Sequence, residues 1–136
     1  YHPGGALGKK LYLQCGNIAE QNAKPVVSPN TPWKEVILTI TKNRLGATAV
    51  VNERNQIVGI ITDGDVRRML ENHATFNHLT AEQIMGSSPI TVEANTMATE
   101  VAALMQEKKI TQILVTQQSI YFGVVHLHDL YREGIL

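Results

Sequence analysis

Apolar positions along the chain change period in the same order twice. Trp33, Val36, Ile37 and Ile40 recur at helical spacing and make one apolar face; Met97, Val101, Leu104 and Met105 do so again further on. Each predicted helix has a start signal, Thr31 as N-cap with Pro32 at the first helical position in one case and Asn95 as cap in the other. A β-branched run follows each helix, over 48–51 and 113–116. Polar turns over 52–55 and 117–119 lead into second strands over Ile57–Thr62 and Ile120–His126. Short helices over 64–70 and 128–133 close the two stretches. A proline opens each one, in Pro25-Val26-Val27 and Pro89-Ile90-Thr91.

Residues 25–68 align with 89–132 without a gap, at an offset of 64. Identities are few: Pro25/Pro89, Val51/Val115, Gly59/Gly123, Asp65/Asp129 and Arg68/Arg132. The residue classes agree more widely, as in Gly59-Ile60-Ile61 against Gly123-Val124-Val125. The predicted order is β-α-β-β-α, twice, an α/β (α+β) chain. A linking segment over 77–86 carries a short helix over 81–85 capped by Thr80. A copy of about sixty residues buries little surface alone. The two copies are therefore expected to pack together about a pseudo-twofold axis. The predicted division is 1–16 as a tail and linker, 17–77 as the first motif and 78–136 as the second.

Composition narrows the function classes. Of 136 residues, 43% are hydrophobic and 18% charged, which is enough apolar material for a packed core and excludes disorder as the main state. The 12 Lys and Arg balance the 12 Asp and Glu. That balance argues against nucleic acid and against an electrostatic membrane anchor as partners. One Trp, two Phe and four Tyr leave little for base-stacking platforms. The charge-free stretch over 110–128 carries too many polar residues for a membrane span and reads as two strands around a turn. Cys15 is the only cysteine, so there is no disulfide framework; a reducing, cytoplasmic setting follows, with Cys15 a bystander thiol. The chain starts at Tyr1 rather than Met, as an excised piece of a longer protein would. His73 and His78 flank a polar loop and read as surface residues.

Candidate chemistry concentrates where the second strand of the first copy meets its closing helix. Helix N-termini present unpaired N–H groups and attract phosphate. The Thr62 hydroxyl could add a donor to that phosphate, and the Asp65 carboxylate could accept from two ribose hydroxyls. Gly64 would allow close approach of a ligand. A neighbouring cleft lined by Val26, Val27 and Ile61 could hold a base. A plainer reading stands beside this one: a carboxylate at this position caps the helix and opposes its dipole. Arg67 and Arg68 could reach phosphate or simply lie on a solvated helix face. In the second copy His126 replaces the hydroxyl residue while Asp129 is kept. The pair His126 and His128 lacks a third and fourth ligand, so no metal is expected. No nucleophile–base pair is visible.

The two stretches ending in Gly-Ile-Ile-Thr-Asp-Gly-Asp-Val-Arg-Arg and Gly-Val-Val-His-Leu-His-Asp-Leu-Tyr-Arg resemble a tandem CBS-domain pair, the Bateman module, over nearly all of residues 17–136. The resemblance implies base contacts near Val26 and Val27 and near Gly46, Ala47 and Thr48, with Thr62, Gly64 and Asp65 on the phosphate and ribose. The matching cleft of the second copy would use Ile90, Thr91, Thr111, Gln112, His126 and Asp129. The opening His2-Pro3-Gly4-Gly5-Ala6-Leu7-Gly8-Lys9-Lys10-Leu11 resembles the junction in KpsF/GutQ-type arabinose-5-phosphate isomerases, where a sugar-isomerase (SIS) domain precedes a CBS pair. That implies a parent protein interconverting ribulose 5-phosphate and arabinose 5-phosphate for Kdo and lipopolysaccharide synthesis. His2 would be a catalytic residue severed from its site, and this chain alone no enzyme. The implied role is regulatory nucleotide sensing, with no required cofactor and with AMP, ATP, CMP or CMP-Kdo as regulatory ligand. The implied partners are the SIS domain and a second CBS pair, within a homotetrameric parent. The competing role is an oligomerisation module with vestigial clefts.

Overall fold

The computed structural model describes residues 5–72 and 74–136; His2 and His73 lie outside them. In chain order the elements are α1 (Ala6–Tyr12), α2 (Cys15–Ala19), β1 (Val26–Val27), α3 (Trp33–Asn43), β2 (Ala47–Val51), β3 (Ile57–Thr62), α4 (Asp63–Asn72), α5 (Ala81–Ile84), β4 (Gly86–Ser87), β5 (Thr91–Glu93), α6 (Ala98–Lys108), β6 (Gln112–Gln117), β7 (Ile120–His126) and α7 (Leu127–Arg132). The β-α-β-β-α order thus occurs twice, in a mixed α+β chain with two sheets. Among the described residues no helix is long and apolar enough to cross a membrane.

The chain forms two compact units. The first comprises Lys24–Pro89 with Ser119–Tyr121. Its sheet runs β1-β2-β3-β4, with β1 parallel to β2 and the remaining pairs antiparallel. All five residues of β2 are buried, as expected of a strand covered on both faces. Val36 and Ile40 of α3 join Val27, Val50, Ile61 and Ala81 in its core. Tyr121 closes this unit: it is fully buried, and its hydroxyl donates to the Pro25 carbonyl at 2.7 Å. Burial pushes its phenol well above the usual range.

The second unit takes residues 5–23, Ile90–Gln118 and Phe122–Leu136. Its sheet runs β5-β6-β7, with β5 parallel to β6. The tight β6–β7 turn has positive φ at both Gln118 and Ser119, the left-handed pairing that suits a two-residue hairpin. Val101 and Met105 of α6 pack with Ile113, Val125 and Leu130. Helices α1 and α2 occupy the start of this unit. In α2, Cys15, Ile18 and Ala19 are buried in this unit's core. The Gly16 N–H donates to the Ala94 carbonyl at 2.9 Å, and a methyl on Gly16 would lie 2.8 Å from that oxygen, so the contact needs glycine. Cys15 is held at about 11 by desolvation and lies 3.2 Å from the Glu93 carbonyl; it is a core thiol.

Two expected caps are corrected. Helix α3 starts after Pro32 and α6 after Met97, both extended and without a side-chain cap. The Thr31 oxygen instead accepts the Ser28 N–H at 3.0 Å, which fixes the turn before the helix. Asn95 lies in the turn closed by the Thr96 N–H on Glu93 O. Both eleven-residue helices end on a left-handed residue, Arg44 and Lys109, a stop normally taken by glycine. Thr80 caps α5 as expected, reciprocally with Gln83.

Candidate functional site

Strand β3 delivers Thr62 to the start of α4. The Thr62 N–H and hydroxyl both donate to Asp65 Oδ2, at 2.9 and 3.1 Å, and the Asp65 N–H returns a bond to the Thr62 hydroxyl at 3.3 Å. This is the reciprocal arrangement of a capping box, so the plainer reading of Asp65 is correct as far as it goes. It does not exhaust the carboxylate. Among the described residues Oδ1 is held only by Arg68 Nη2 at 2.6 Å, and that guanidinium is more than half exposed. Surface pairs of this kind contribute little and exchange readily. The Asp63 N–H donates to the Gly46 carbonyl at 3.1 Å, which ties the left-handed Gly46 to the same helix start. A cavity of about 130 Å³ adjoins the carboxylate, lined by Asp65, Arg68, Met69, Asn72, Gln83 and Ile84. Gly46, Thr62, Gly64 and Asp65 are all partly accessible.

The other expected residues of this copy divide. Val26 is exposed and lines a second cavity of about 250 Å³ with Lys24, Pro25, Leu38, Thr39, Lys42 and Asn43. Val27, Ala47 and Thr48 are buried, and the Thr48 hydroxyl lies 3.1 Å from the Ala49 carbonyl, so their side chains serve the core. What they can offer a ligand is backbone.

The second copy repeats the frame with different contents. The His126 N–H donates to Asp129 Oδ2 at 2.8 Å, and Arg132 Nη2 donates to Oδ1 at 2.6 Å. The Leu127 N–H bonds the Thr111 carbonyl at 2.8 Å. Instead of a hydroxyl, the His126 imidazole caps α7: its Nδ1 accepts the His128 N–H at 3.0 Å. Burial and the neighbouring His128 lower the His126 pKa, opposed by Asp129. Asn22 Nδ2 adds a further donor, reaching Asp129 Oδ2 at 2.8 Å and the Val124 carbonyl at 3.0 Å. The Asp129 side chain is only 4% exposed, against 16% for Asp65. Ile90, Thr91 and Thr111 are exposed, and Gln112 is partly so; the Thr111 hydroxyl bonds Gln112 Oε1 at 2.9 Å. No group of three or more His, Cys, Asp or Glu among the described residues is placed to hold a metal ion.

Sequence reasoning left three participants without these roles. Arg68 and Arg132 are the carboxylates' partners, and their signal was present: Asp-x-x-Arg is among the few identities of the repeat. Asn22 lies before the aligned region, and no repeat signal could find it.

The CBS domain family model matches residues 20–72 and 81–135. An arabinose 5-phosphate isomerase KdsD from Yersinia pestis is 37% identical over 99% of this chain, and the chain spans 42% of that relative's length. A crystal structure of CBSX2 in complex with AMP superposes with a TM-score of 0.76 at 20% identity, covering 89% of this chain and 94% of the other. The CBS domain pair of MJ0100, in complex with 5-methylthioadenosine and S-adenosyl-L-methionine, gives 0.73 at 24% identity, covering 89% and 94%. These two likenesses show the fold.

Proposed function

The chain belongs to the CBS domain family as a tandem pair, and from that premise we propose that it is the regulatory, nucleotide-sensing part of a sugar-phosphate isomerase. The observation that carries this reading is the first-copy site. Its carboxylate keeps one oxygen on an exposed, exchangeable arginine, beside a helix start that also carries a hydroxyl and a glycine. An incoming ribose can replace Arg68 at Oδ1, and the freed guanidinium is then placed to meet phosphate. Two proteins of the same fold hold adenine-containing ligands, which favours a nucleotide over other anions. The likeness to KdsD over 42% of its length supports an SIS isomerase domain as partner and arabinose 5-phosphate chemistry in the parent, with His2 as a residue of that other site. CMP-Kdo, as a downstream cytidine nucleotide, is the alternative to AMP or ATP. Binding would regulate the isomerase by favouring one of two conformations.

The test is a thermal-shift panel with AMP, ATP, CMP and CMP-Kdo on this chain and on Asp65→Ala. A ligand at a hundred times its Kd adds about 2.7 kcal/mol, a rise of roughly 5–12 °C in Tm for a chain of this size. We expect a rise with one of the four that disappears in Asp65→Ala. No rise with any of them up to millimolar concentration rejects the reading in favour of an oligomerisation module.

A further inference from the structure

Resting on that reading, we infer that the cavity beside β1 is the base subsite of the first copy's ligand, and that Lys24, Lys42 and Asn43 select cytosine over adenine there. The cavity lies within one unit, between the entry of β1 and the last turn of α3. It stands at the Thr62 end of the sheet. Val26 faces Ala49 and Ala47 faces Thr62, so the entry of β1 and the end of β3 share that end. Two strand spacings, about 10 Å, separate β1 from β3, which is the reach of a mononucleotide from its base to its sugar hydroxyls. The volume of about 250 Å³ is below the roughly 300–1,000 Å³ of a site for a whole ligand and suits a single base.

Val26, 45% exposed, offers the ring an apolar surface. The polar lining then sets the pattern. Asn43 spends its Nδ2 on the Thr39 carbonyl at 2.7 Å, which leaves Oδ1 as an acceptor with no partner among the described residues. Neither lysine has a carboxylate partner among those residues. The Lys24 ammonium is held 5.2 Å from the centroid of the Tyr121 ring, a contact that leaves N–H donors available. A lysine only donates, so the cavity presents one acceptor and two charged donors. The pairing edge of cytosine is the complement: its N4 amino group donates, and N3 and O2 accept. Adenine has one donor and one acceptor on either edge, which leaves a lysine without a partner. Uracil sets a carbonyl against Oδ1 and an N–H against a lysine. A phosphate would suit the two lysines but neither Asn43 Oδ1 nor Val26.

The experiment is isothermal titration of the intact 136-residue chain with CMP, UMP and AMP, on the wild type and on Lys24→Met, Lys42→Met and Asn43→Ala. Both lysines are exposed, so the methionine variants keep the stem and should melt with the wild type. We expect CMP to bind about tenfold or more tightly than AMP or UMP, a factor within the reach of one well-made set of base contacts. Each methionine variant should weaken CMP about tenfold and AMP by less than about threefold. Asn43→Ala should bring CMP down towards UMP. AMP binding as tightly as CMP, with both lost in Asp65→Ala, overturns the inference and leaves the nucleotide reading standing. So do unchanged CMP affinities in the lysine variants, and so do equal losses of CMP and AMP, since the lysines would then meet the phosphate. No binding of any of the three nucleotides at millimolar concentration overturns the inference together with that reading.

Discussion

At the scale of single residues, Gly64 separates the two roles a helix start can play. A methyl added there would lie 3.4 and 3.5 Å from the Arg68 guanidinium nitrogens and 3.5 Å from the Thr62 hydroxyl, which is ordinary contact. The fold has no need of glycine at this point, and alanine in a helix is favoured by up to about 1 kcal/mol. The methyl would nevertheless stand among the groups proposed to receive a ligand. Gly64→Ala is therefore expected to melt at or slightly above the wild-type temperature while losing at least half of its nucleotide-induced Tm rise. An unchanged ligand response would mean that the ligand does not approach along this side of α4. Gly59→Ala is the useful contrast, since its Cβ would fall 2.3 Å from Met85 Sδ and 3.0 Å from the Gly86 carbonyl. That change should lower stability by overpacking without touching the candidate site.

At the scale of elements, α7 shows what replaces a hydroxyl cap. The His126 Nδ1 can accept the His128 N–H only while the imidazole is neutral. Burial and His128 hold its pKa below the usual 6.5 in the folded chain. The unfolded chain thus binds more protons than the folded one just below that value, and stability falls with falling pH. The contribution is complete above about pH 6.5 and declines as pH drops from there toward the lowered folded value. Between pH 7.5 and 5.5, Tm should fall by more in the wild type than in His126→Thr, which restores a hydroxyl cap; melting curves at both pH values read the difference. Equal falls would show that the cap does not depend on His126 protonation. Legibility in sequence followed the same element logic. Strands β3 and β7 coincide with their expected limits because a short continuous apolar run bounded by polar turns has few other solutions. Helices α1 and α2 were not foreseen, because seven and five residues among glycines carry no periodic signal, and Leu7, Leu11 and Tyr12 of α1 remain exposed. Thr62 and Asp65 could be read because they are three residues apart, whereas Asn22 and Asp129 meet only through the fold.

At the scale of the whole molecule, nucleotide sensing and oligomerisation make separable demands on the surface. Leu38 of α3 and Leu70 of α4 are 67% and 48% exposed, within the unit that carries the candidate site. Single exposed leucines are ordinary, but two on consecutive helices of one motif are an apolar contribution that a second copy of the chain could cover. The expected outcome is a homodimer at tens of micromolar in sedimentation velocity, with Leu38→Glu/Leu70→Glu shifted to monomer, because a buried carboxylate without a partner is costly. Asp65→Ala should remain a dimer, since Asp65 is engaged within its own motif and only its ligand response depends on the oxygen that Arg68 holds. If the double leucine variant stays dimeric, the interface lies elsewhere on the chain. If Asp65→Ala dissociates, the helix start proposed as a ligand site is itself part of the contact, and the sensing and assembly readings merge into one.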